Sequence, residues 1–445
     1  MLGREPLERL LRAALATSPA DETEIVVQAV DDALTRFANS GIHQNVYERN
    51  AEVRVRAVVG RRTGVVVTNR LEPAALADAA AQATALARLQ PETPDFPGLA
   101  EPQPVAPLHP FAAATAACSP ERRARAVRAV CALADEQGLV ASGAFSTGVR
   151  ELAVANSKGL FAYDVGTRAH FTTVIMGDDS SGYAERAAVD VEALDIEALG
   201  REAIARAVRG RRPQPLAPGE YPVVLEPYAV QEMLGYLAYI GLGALALQEG
   251  RSFLCGRLGQ PVAAASISLW DDGRDPRGLP QAFDFEGVPK QRVELISQGI
   301  ARGVVYDRAT AAKEGRASTG HALPAPNPLG PLPSHLFLAP GAASREELLA
   351  GLDRGLWVTR FWYVNVVHPL HTILTGMTRD GTFLVERGEV VGPVRNLRFT
   401  ASVLDALASV EAIGRETVVL PSWFGGDVVP ALRLGRFRFT GATEF

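Results

Sequence analysis

A run of mostly apolar residues, 228–248, constrains the fold of this chain more than any other stretch. It follows a strand-like segment, residues 221–225, and it contains one carboxylate, Glu232. A run of this length could span a bilayer. Because Gln231 and Glu232 lie inside it and no basic cluster flanks it, we predict a buried helix and no membrane span.

Length and composition limit the class of protein. The chain has 445 residues, which favours two domains over one. Its net charge of -5 provides no basic field for nucleic-acid binding. Three cysteines without a CxxC pair and seven histidines argue against a disulfide scaffold and a zinc finger, and they suit a reducing cytoplasm. The N-terminus lacks the basic and apolar regions of a signal peptide, so we expect a cytoplasmic protein.

A Pro/Gly-rich segment, residues 211–221, gives the best domain boundary. We predict an α+β protein with an N-terminal domain over residues 1–212, in which helices accompany an antiparallel sheet. The C-terminal domain, residues 220–445, is predicted to be β-rich and barrel-like with the apolar run as its central buried helix.

Periodicity assigns most elements of the N-terminal half. Helices are predicted over residues 5–17, 31–40, 71–89, 119–137 and 196–208. Strands are predicted over 24–29, over a hairpin of 51–59 and 64–69 with its turn at 60–64, and over a meander of 139–147, 149–155, 160–165 and 168–176. Residues 90–110 are too rich in proline for regular structure.

The C-terminal half shows short β-like segments between glycines and prolines. They are residues 263–269, 302–306, 336–338, 356–367, 382–385, 389–391 and 432–439. One helix, residues 402–413, is predicted among them.

A series of short motifs follows the apolar run. In chain order they are Ser252-Phe253 with Gly256-Arg257-Leu258-Gly259, Asp271-Asp272, Phe283-Asp284-Phe285-Glu286-Gly287 and Ser318-Thr319-Gly320-His321. Further stretches are Gly64–Asn69, Asn156–Gly159, Leu374–Met377, Glu386–Val390 and Pro393–Asn396. Together, in this order and spacing, they resemble the TldD/PmbA metallopeptidase family over nearly the whole chain.

The resemblance implies a zinc helix with an H-E-x-x-x-H motif and a downstream cysteine ligand. Zinc takes imidazole nitrogen or thiolate sulfur, with a carboxylate nearby to accept the proton of its water. Matched residue by residue, the motif falls on Gln231, Glu232, Gly235 and Tyr236, so both histidines are absent. The expected cysteine region matches residues 421–426, which contain none. The resemblance is therefore to the TldE/PmbA-like branch, which lacks the zinc ligands.

That branch implies a non-catalytic subunit that pairs with a TldD-like zinc metallopeptidase and acts on unfolded or precursor peptides. We expect no metal in this chain and zinc in the partner. Glu232, Tyr236 and His321 are candidate peptide-groove residues. Because a buried carboxylate is costly without a partner, we predict a hydrogen-bond partner for Glu232. Gly235 marks either an irregular helix or close packing.

Other candidate sites have weaker patterns. His368 and His371 flank Pro369, which suits a turn better than a helical metal pair, and His170 is expected to be structural. Cys255 lacks an evident histidine partner for nucleophilic catalysis. An acidic cluster does not match the spacing of a calcium loop and is expected to form solvated turns; its members are Asp271, Asp272, Asp275, Asp284 and Glu286.

Two other functions stay open at this point. One is an independent homodimeric hydrolase with a site built from Glu232, Tyr236, His321 or the His368/His371 pair. The other is a homodimeric peptide-binding or scaffold protein. Neither needs a TldD-like partner, whereas the heterodimeric peptidase does.

Overall fold

The computed structural model describes residues 1–443 of the chain. Its helices are α1 (Arg4–Ala16), α2 (Pro73–Leu89), α3 (Ala113–Ala116), α4 (Pro120–Asp135), α5 (Ile196–Arg209), α6 (Pro227–Gly241), α7 (Ala244–Gln248), α8 (Arg308–Lys313), α9 (Arg345–Ala350) and α10 (Val403–Ala408). Short 3₁₀ turns occur at Val191–Ala193 and Pro369–His371.

The strands fall into two groups along the chain. The first six are β1 (Glu22–Ala38), β2 (Gly41–Val59), β3 (Arg62–Thr68), β4 (Val140–Asn156), β5 (Phe161–Met176) and β6 (Ser181–Ala188). The others are β7 (Gly219–Leu225), β8 (Leu269–Asp271), β9 (Val293–Ser297), β10 (Ile300–Ala301), β11 (Leu336–Leu338), β12 (Arg354–His368), β13 (Ile373–Glu386), β14 (Glu389–Pro393), β15 (Leu397–Ser402), β16 (Val410–Pro421) and β17 (Gly426–Ala442). The α+β prediction is confirmed.

Strands β1 to β6 form one antiparallel sheet in the order β3-β2-β1-β4-β5-β6. The alanine-rich α2 packs on β2 and β3, where its small side chains share a core with Leu7 and Leu11 of α1. Helices α4 and α5 cover β4 to β6 around Phe145 and Phe171. The predicted hairpin of β2 and β3 and the predicted α2, α4 and α5 are confirmed within a few residues at their ends.

Two predictions for this half are wrong in detail, and one strand was missed. Residues 31–40 are not a helix, because β1 runs on to Ala38 and pairs with β2 and β4 along its length. The Asp31–Arg49 ion pair, at 2.9 Å, joins two strands there. The four predicted pieces of the meander are two long strands, β4 and β5. Strand β6 was missed because its alanine-rich sequence has low β-propensity and the strand depends on pairing with β5.

The second sheet contains a closed ring. Strand β17 pairs with β15, β15 with β13, β13 with β12, β12 with β7, and β7 again with β17. These five strands therefore form a barrel, and β14 and β16 attach to its rim. Strands β8 to β11 extend the sheet from β17. The predicted barrel-like C-terminal half is confirmed.

Helix α6 packs against β12 and β17 and belongs to the largest apolar cluster of the molecule. The apolar run thus forms two helices, α6 and α7, as a buried element. No helix within residues 1–443 combines the length and the hydropathy needed to cross a membrane. The division of the chain at residues 212 and 220 stays a prediction.

Some C-terminal segments also differ from expectation. The helix predicted over residues 402–413 ends at Ala408, because the chain enters β16 at Val410 and pairs with β17. Residues 302–306 form no strand beyond one bridge from Val305 to Gly243. In segment 263–269 only Leu269 joins a strand.

Candidate functional site

A buried charge cluster fixes the start of α6. Glu226 precedes Pro227, which occupies the first helical turn, where a missing N–H costs nothing. Its carboxylate, 1% exposed, accepts hydrogen bonds from Arg206 at 3.0 Å, Arg345 at 3.0 Å and the indole of Trp357 at 2.8 Å. These contacts join α5, α9 and β12 to one point and hold α6 in a fixed position.

One face of α6 lines a cavity of about 300 Å³. The four residues of the degenerate motif, Gln231, Glu232, Gly235 and Tyr236, all lie on its wall. The opposite wall is formed by Leu332–Ser334, Pro421–Phe424 and Asp427. The structure therefore brings the motif helix and the expected cysteine region together across one space, which we call the α6 cavity.

Gln231 ties the helix to the opposite wall. Its amide Nε2 donates to the carbonyl oxygen of Pro421 and to Oδ2 of Asp427, each at 3.1 Å. The other oxygen of Asp427 accepts the Leu336 N–H at 3.0 Å. Burial raises the pKa of Asp427 to about 7, although both hydrogen bonds oppose the shift.

Tyr236 is held in a similar way. Its hydroxyl donates to the carbonyl oxygen of Val364 in β12 at 2.6 Å. Across the cavity, Ser422 Oγ donates to the carbonyl oxygen of Ser334 at 2.9 Å. The side chains at both expected histidine positions, and Ser422 in the expected cysteine region, are thus engaged in hydrogen bonds to the protein.

Glu232 differs from its neighbours. No hydrogen bond joins its carboxylate to any of residues 1–443, so the predicted partner is absent from that range and the prediction was wrong. Burial raises its pKa, the charge of Arg360 lowers it, and the charge of Glu185 raises it further. The half-buried carboxylate faces the cavity and is free to accept a hydrogen bond from a ligand.

Gly235 lies in an uninterrupted α-helix, and a Cβ built there meets nothing within 4 Å. Neither predicted role, an irregular helix or close packing, applies to it. Its missing side chain leaves space in the α6 cavity.

The residues present do not fit zinc. An amide and a phenol stand in place of the imidazole donors that zinc prefers, residues 421–426 offer no thiolate, and the hydrogen bonds above occupy the amide and the phenol. No group of three or more His, Cys, Asp or Glu side chains within the described part of the chain is placed to hold a metal ion.

His321 is buried away from the α6 cavity and does not line it. Its Nε2 lies 2.8 Å from Asp271 Oδ1 and its Nδ1 lies 2.9 Å from Thr319 Oγ1. The second oxygen of Asp271 accepts the N–H groups of Ser334 and His335, each at 2.7 Å. The prediction of His321 in a peptide groove needs correction: it supports, through Asp271, the segment that forms one cavity wall.

The weaker candidates show no catalytic arrangement. The rings of His368 and His371 lie on an exposed turn with their centroids 4.4 Å apart and their planes tilted by 48°. His170 Nε2 lies 2.8 Å from Glu185 Oε1, and the Cys255 thiol is exposed beside the Leu247 carbonyl.

The acidic cluster is not a calcium site. Asp271 contacts His321, Asp275 pairs with Arg277, and Glu286 pairs with Arg56. Asp272 and Asp284 accept backbone N–H groups. Asp271 and Asp284 are fully buried, so the expectation of solvated turns fails for these two.

Asp427 and Glu185 are the main cavity residues that sequence reasoning missed. Asp427 directly follows the Gly425-Gly426 pair of the expected cysteine region, which is its only local signal. Glu185 lies on β6, the strand that was not predicted.

Comparison with known proteins assigns the family. The PmbA/TldA metallopeptidase C-terminal domain matches residues 218–441, the central domain matches 113–211, and domain 1 matches 23–87. The fold and the α6 cavity thus define a metallopeptidase-like protein. The first of these matches alone covers half of the chain, and the chain belongs to the PmbA/TldD metallopeptidase family.

Individual relatives are distant. A metalloprotease of Methanothermobacter thermautotrophicus is 27% identical over 220 residues, which is 47% of this chain and 46% of that protein. A metalloprotease PmbA homolog of Haemophilus influenzae is 29% identical over 205 residues, 45% of this chain and 42% of that protein. These matches span about half the length of the relatives. The crystal structure of TldE from Thermococcus kodakarensis superimposes with a TM-score of 0.90 at 23% identity, covering 98% of this chain and all of that one, and it shows the shared fold.

Proposed function

We propose that this chain is a non-catalytic TldE/PmbA-like subunit that pairs with a TldD-like zinc metallopeptidase in a heterodimeric protease. The observation that carries the proposal is the α6 cavity. Gln231 and Tyr236 stand where the resemblance expects histidine ligands, and they donate hydrogen bonds to Asp427 and Val364, while the expected cysteine region contains no thiolate. A chain built in this way needs another subunit to supply the metal and its activated water.

The substrate class in this proposal is an unfolded or precursor peptide. An extended peptide presents a backbone N–H at every residue other than proline. The unpaired carboxylate of Glu232 in the cavity supplies an acceptor for such a group. An ionised carboxylate is a better hydrogen-bond acceptor than a protonated one. Burial and the charge of Glu185 raise the pKa of Glu232, so this acceptor is at its best only above that raised pKa.

The partner surface is proposed next to this cavity. Large apolar side chains are exposed on segments that contact α6, and we call them the apolar rim: Tyr239, Tyr363, Val367, Leu370 and Trp423. Tyr363 is 76% exposed, and Trp423 is 68% exposed and packs against Tyr239 at 5.5 Å. Clustered exposed aromatic residues are typical of protein interfaces.

Co-expression with a TldD-like protein from the same genome tests the pairing. We expect a one-to-one complex that contains zinc and cleaves casein, whereas this chain alone contains no stoichiometric zinc and cleaves nothing. Tyr363→Asp should weaken the complex, and Tyr47→Asp, an exposed tyrosine on the first sheet, should not. Stoichiometric zinc together with casein cleavage by this chain alone would overturn the proposal.

One observation favours an independent hydrolase as a second candidate. Glu232 is a half-buried carboxylate with a raised pKa in a cavity, which is a property of catalytic acids and bases. This candidate requires activity of the isolated chain that survives a chelator and is lost in Glu232→Gln. If the isolated chain is inactive, the candidate is excluded.

A further inference from the structure

A second cavity lies on the other side of the segment that closes the α6 cavity. Its volume is about 310 Å³, and its walls come from β1, β4 and β5 of the first sheet and from residues 279–281 and 423–425. Trp423 and Phe424 line both cavities. The two spaces are therefore separated by one short loop, and we call the second one the arginine cavity.

Two arginines meet on the floor of this cavity. In the register of β4 and β5, Arg150 is opposite Gly166 and Arg168 is opposite Gly148. Residues two apart on a strand share a face, so the two arginines are diagonal neighbours on the same face of the sheet. Their directly opposite positions are glycines, and these admit Asp32 over Gly148 and Pro110 over Gly166.

Neither arginine has a partner within hydrogen-bond or ion-pair distance among residues 1–443. Burial, the larger cause, and the charge of Arg150 together lower the pKa of Arg168 to about 10, while the charges of Glu185 and Asp32 oppose the shift. Arg150 is exposed and Arg168 is partly buried, and two neighbouring guanidinium groups repel each other unless anions offset their charge. Asp32 and Glu185 supply negative charge near the pair but form no hydrogen bond with it, so the guanidinium N–H donors stay available to a ligand in the cavity.

The other acidic groups of the cavity wall are already engaged. The carboxylate of Asp164 accepts the N–H groups of Ala282 and Val165, at 3.1 Å each. Glu151 projects from the opposite face of β4, where it accepts the N–H groups of Leu2 and Gly3. Neither forms an ion pair with the arginines.

The wall opposite the sheet offers one more unsatisfied atom. His335 is 1% exposed, and its Nδ1 lies 2.9 Å from Ser334 Oγ. Its Nε2 is buried without a hydrogen-bond partner in the part of the chain that the structure describes. Burial lowers the pKa of His335 to about 3, so the ring is neutral and Nε2 can donate or accept one hydrogen bond, depending on the tautomer.

We propose that Arg150 and Arg168 bind the C-terminal carboxylate of an extended peptide whose preceding residues pass Trp423 and Phe424 into the α6 cavity. Paired guanidinium groups match the planar, two-oxygen shape of a carboxylate. The inference rests on the proposed function, because that function supplies the peptide. It adds a preference for a free chain end, which the α6 cavity alone does not provide.

Binding to the isolated chain, measured by titration calorimetry, tests this inference. The probes are the N-acetylated hexapeptide (Gly-Ala)₃ with a free C-terminal carboxylate and the same peptide with a C-terminal amide. Hydrogen bonds to a charged group are each worth about 1.5–3 kcal/mol, so we expect the acid to bind at least about tenfold more tightly than the amide. Equal affinities, or binding of neither peptide, would overturn the inference.

Variants locate the preference. In the double variant Arg150→Gln/Arg168→Gln the acid should bind no better than the amide. Arg128→Gln, an exposed arginine on α4 outside both cavities, should keep the full preference. If the double variant does not fold, Arg168→Lys serves instead, because lysine keeps the charge but loses the two-point contact, and the preference should fall without vanishing. An unchanged preference in the folded variant would refute the assignment.

A smaller ligand distinguishes a peptide end from a free metabolite. N-acetyl-alanine carries the same carboxylate without the preceding residues, and we expect it to bind more weakly than the hexapeptide acid. Equal binding of the two would overturn the peptide assignment. The titrations need no partner subunit, so the two proposals can fail separately. If the chain prefers the peptide acid but does not co-purify with a TldD-like protein, only the pairing is refuted. If it co-purifies but binds acid and amide equally, only this inference is refuted.

Discussion

Asp427 gives the sharpest test of the electrostatics in the α6 cavity. Its buried carboxyl has a pKa of about 7 in the folded chain, against an ordinary value of 3.8. The folded state thus binds this proton more tightly than the unfolded state, so the group lowers stability as pH rises from about 4 to 7. Replacing it by asparagine removes the ionisation and keeps an acceptor for the Leu336 N–H.

The size of the expected stability change follows from the pKa shift of Asp427. A difference of about three pKa units corresponds to a penalty of about 4 kcal/mol above pH 7, and the penalty at pH 5 is about 1.5 kcal/mol. The natural chain should therefore lose about 2–3 kcal/mol of stability between pH 5 and pH 8 that Asp427→Asn does not lose. Asp284, whose pKa is also raised to about 7, is present in both proteins and cancels in the comparison.

The assay is urea unfolding at pH 5 and pH 8, followed by tryptophan fluorescence. All four tryptophans lie beyond residue 219, so the signal reports on the C-terminal half that contains the cavity. Asp353→Asn, an exposed aspartate, is the matched control and should change neither midpoint. If Asp427→Asn and the natural chain lose stability equally between the two pH values, the burial argument for Asp427 is wrong.

Three further outcomes are expected from the same structure. Glu226→Gln should cost about 3 kcal/mol, because Arg206 and Arg345 lose the charge of a fully buried partner and Arg206 keeps only Glu202, while the exposed Glu416→Gln should cost nothing measurable by the same urea assay. Gly425→Ala should destabilise by about 1–3 kcal/mol, since its Cβ would lie 2.3 Å from the Ser334 carbonyl oxygen, whereas Gly235→Ala should stabilise by about 0.5–1 kcal/mol; equal effects would contradict the packing argument. Dialysis against EDTA should leave the thermal midpoint unchanged, and a fall that added zinc reverses would show that the α6 cavity residues do hold a metal.

Local patterns predicted much of the fold. The β2–β3 hairpin, the alanine-rich α2 and the apolar α6 each depend mainly on their own sequence period, and each was found close to its predicted position. Strand β6 and the second half of β1 depend on neighbouring strands. Alanine-rich β6 forms because β5 supplies its ladder, and Asp31 and Asp32 stay in a strand because β2 and β4 pair with them on both sides. The sequence of one segment does not show which strands will pair with it.

The sequence also predicted some residues of the candidate site but not the contacts between them. The family resemblance identified Gln231, Glu232, Tyr236 and the region of Ser422, and the structure places all of them around one cavity. The contact between Gln231 and Asp427 spans 196 residues, so neither residue marks the other in the sequence. The missing hydrogen-bond partner of Glu232 could not be foreseen either, because the general rule for buried carboxylates predicts the opposite.

The hydrogen bonds of Gln231 explain how the cavity keeps its shape without a metal. In a zinc site of the kind that the resemblance implies, the metal would link the helix to the loop that carries the cysteine. Here the Gln231 amide makes that link, since it donates to Pro421 at the end of β16 and to Asp427 at the start of β17. Because one amide bridges the same two elements, the protein itself holds this wall of the cavity. A helix and a loop joined by protein hydrogen bonds alone agree with the proposed role of this chain as a subunit that holds a peptide for a catalytic partner.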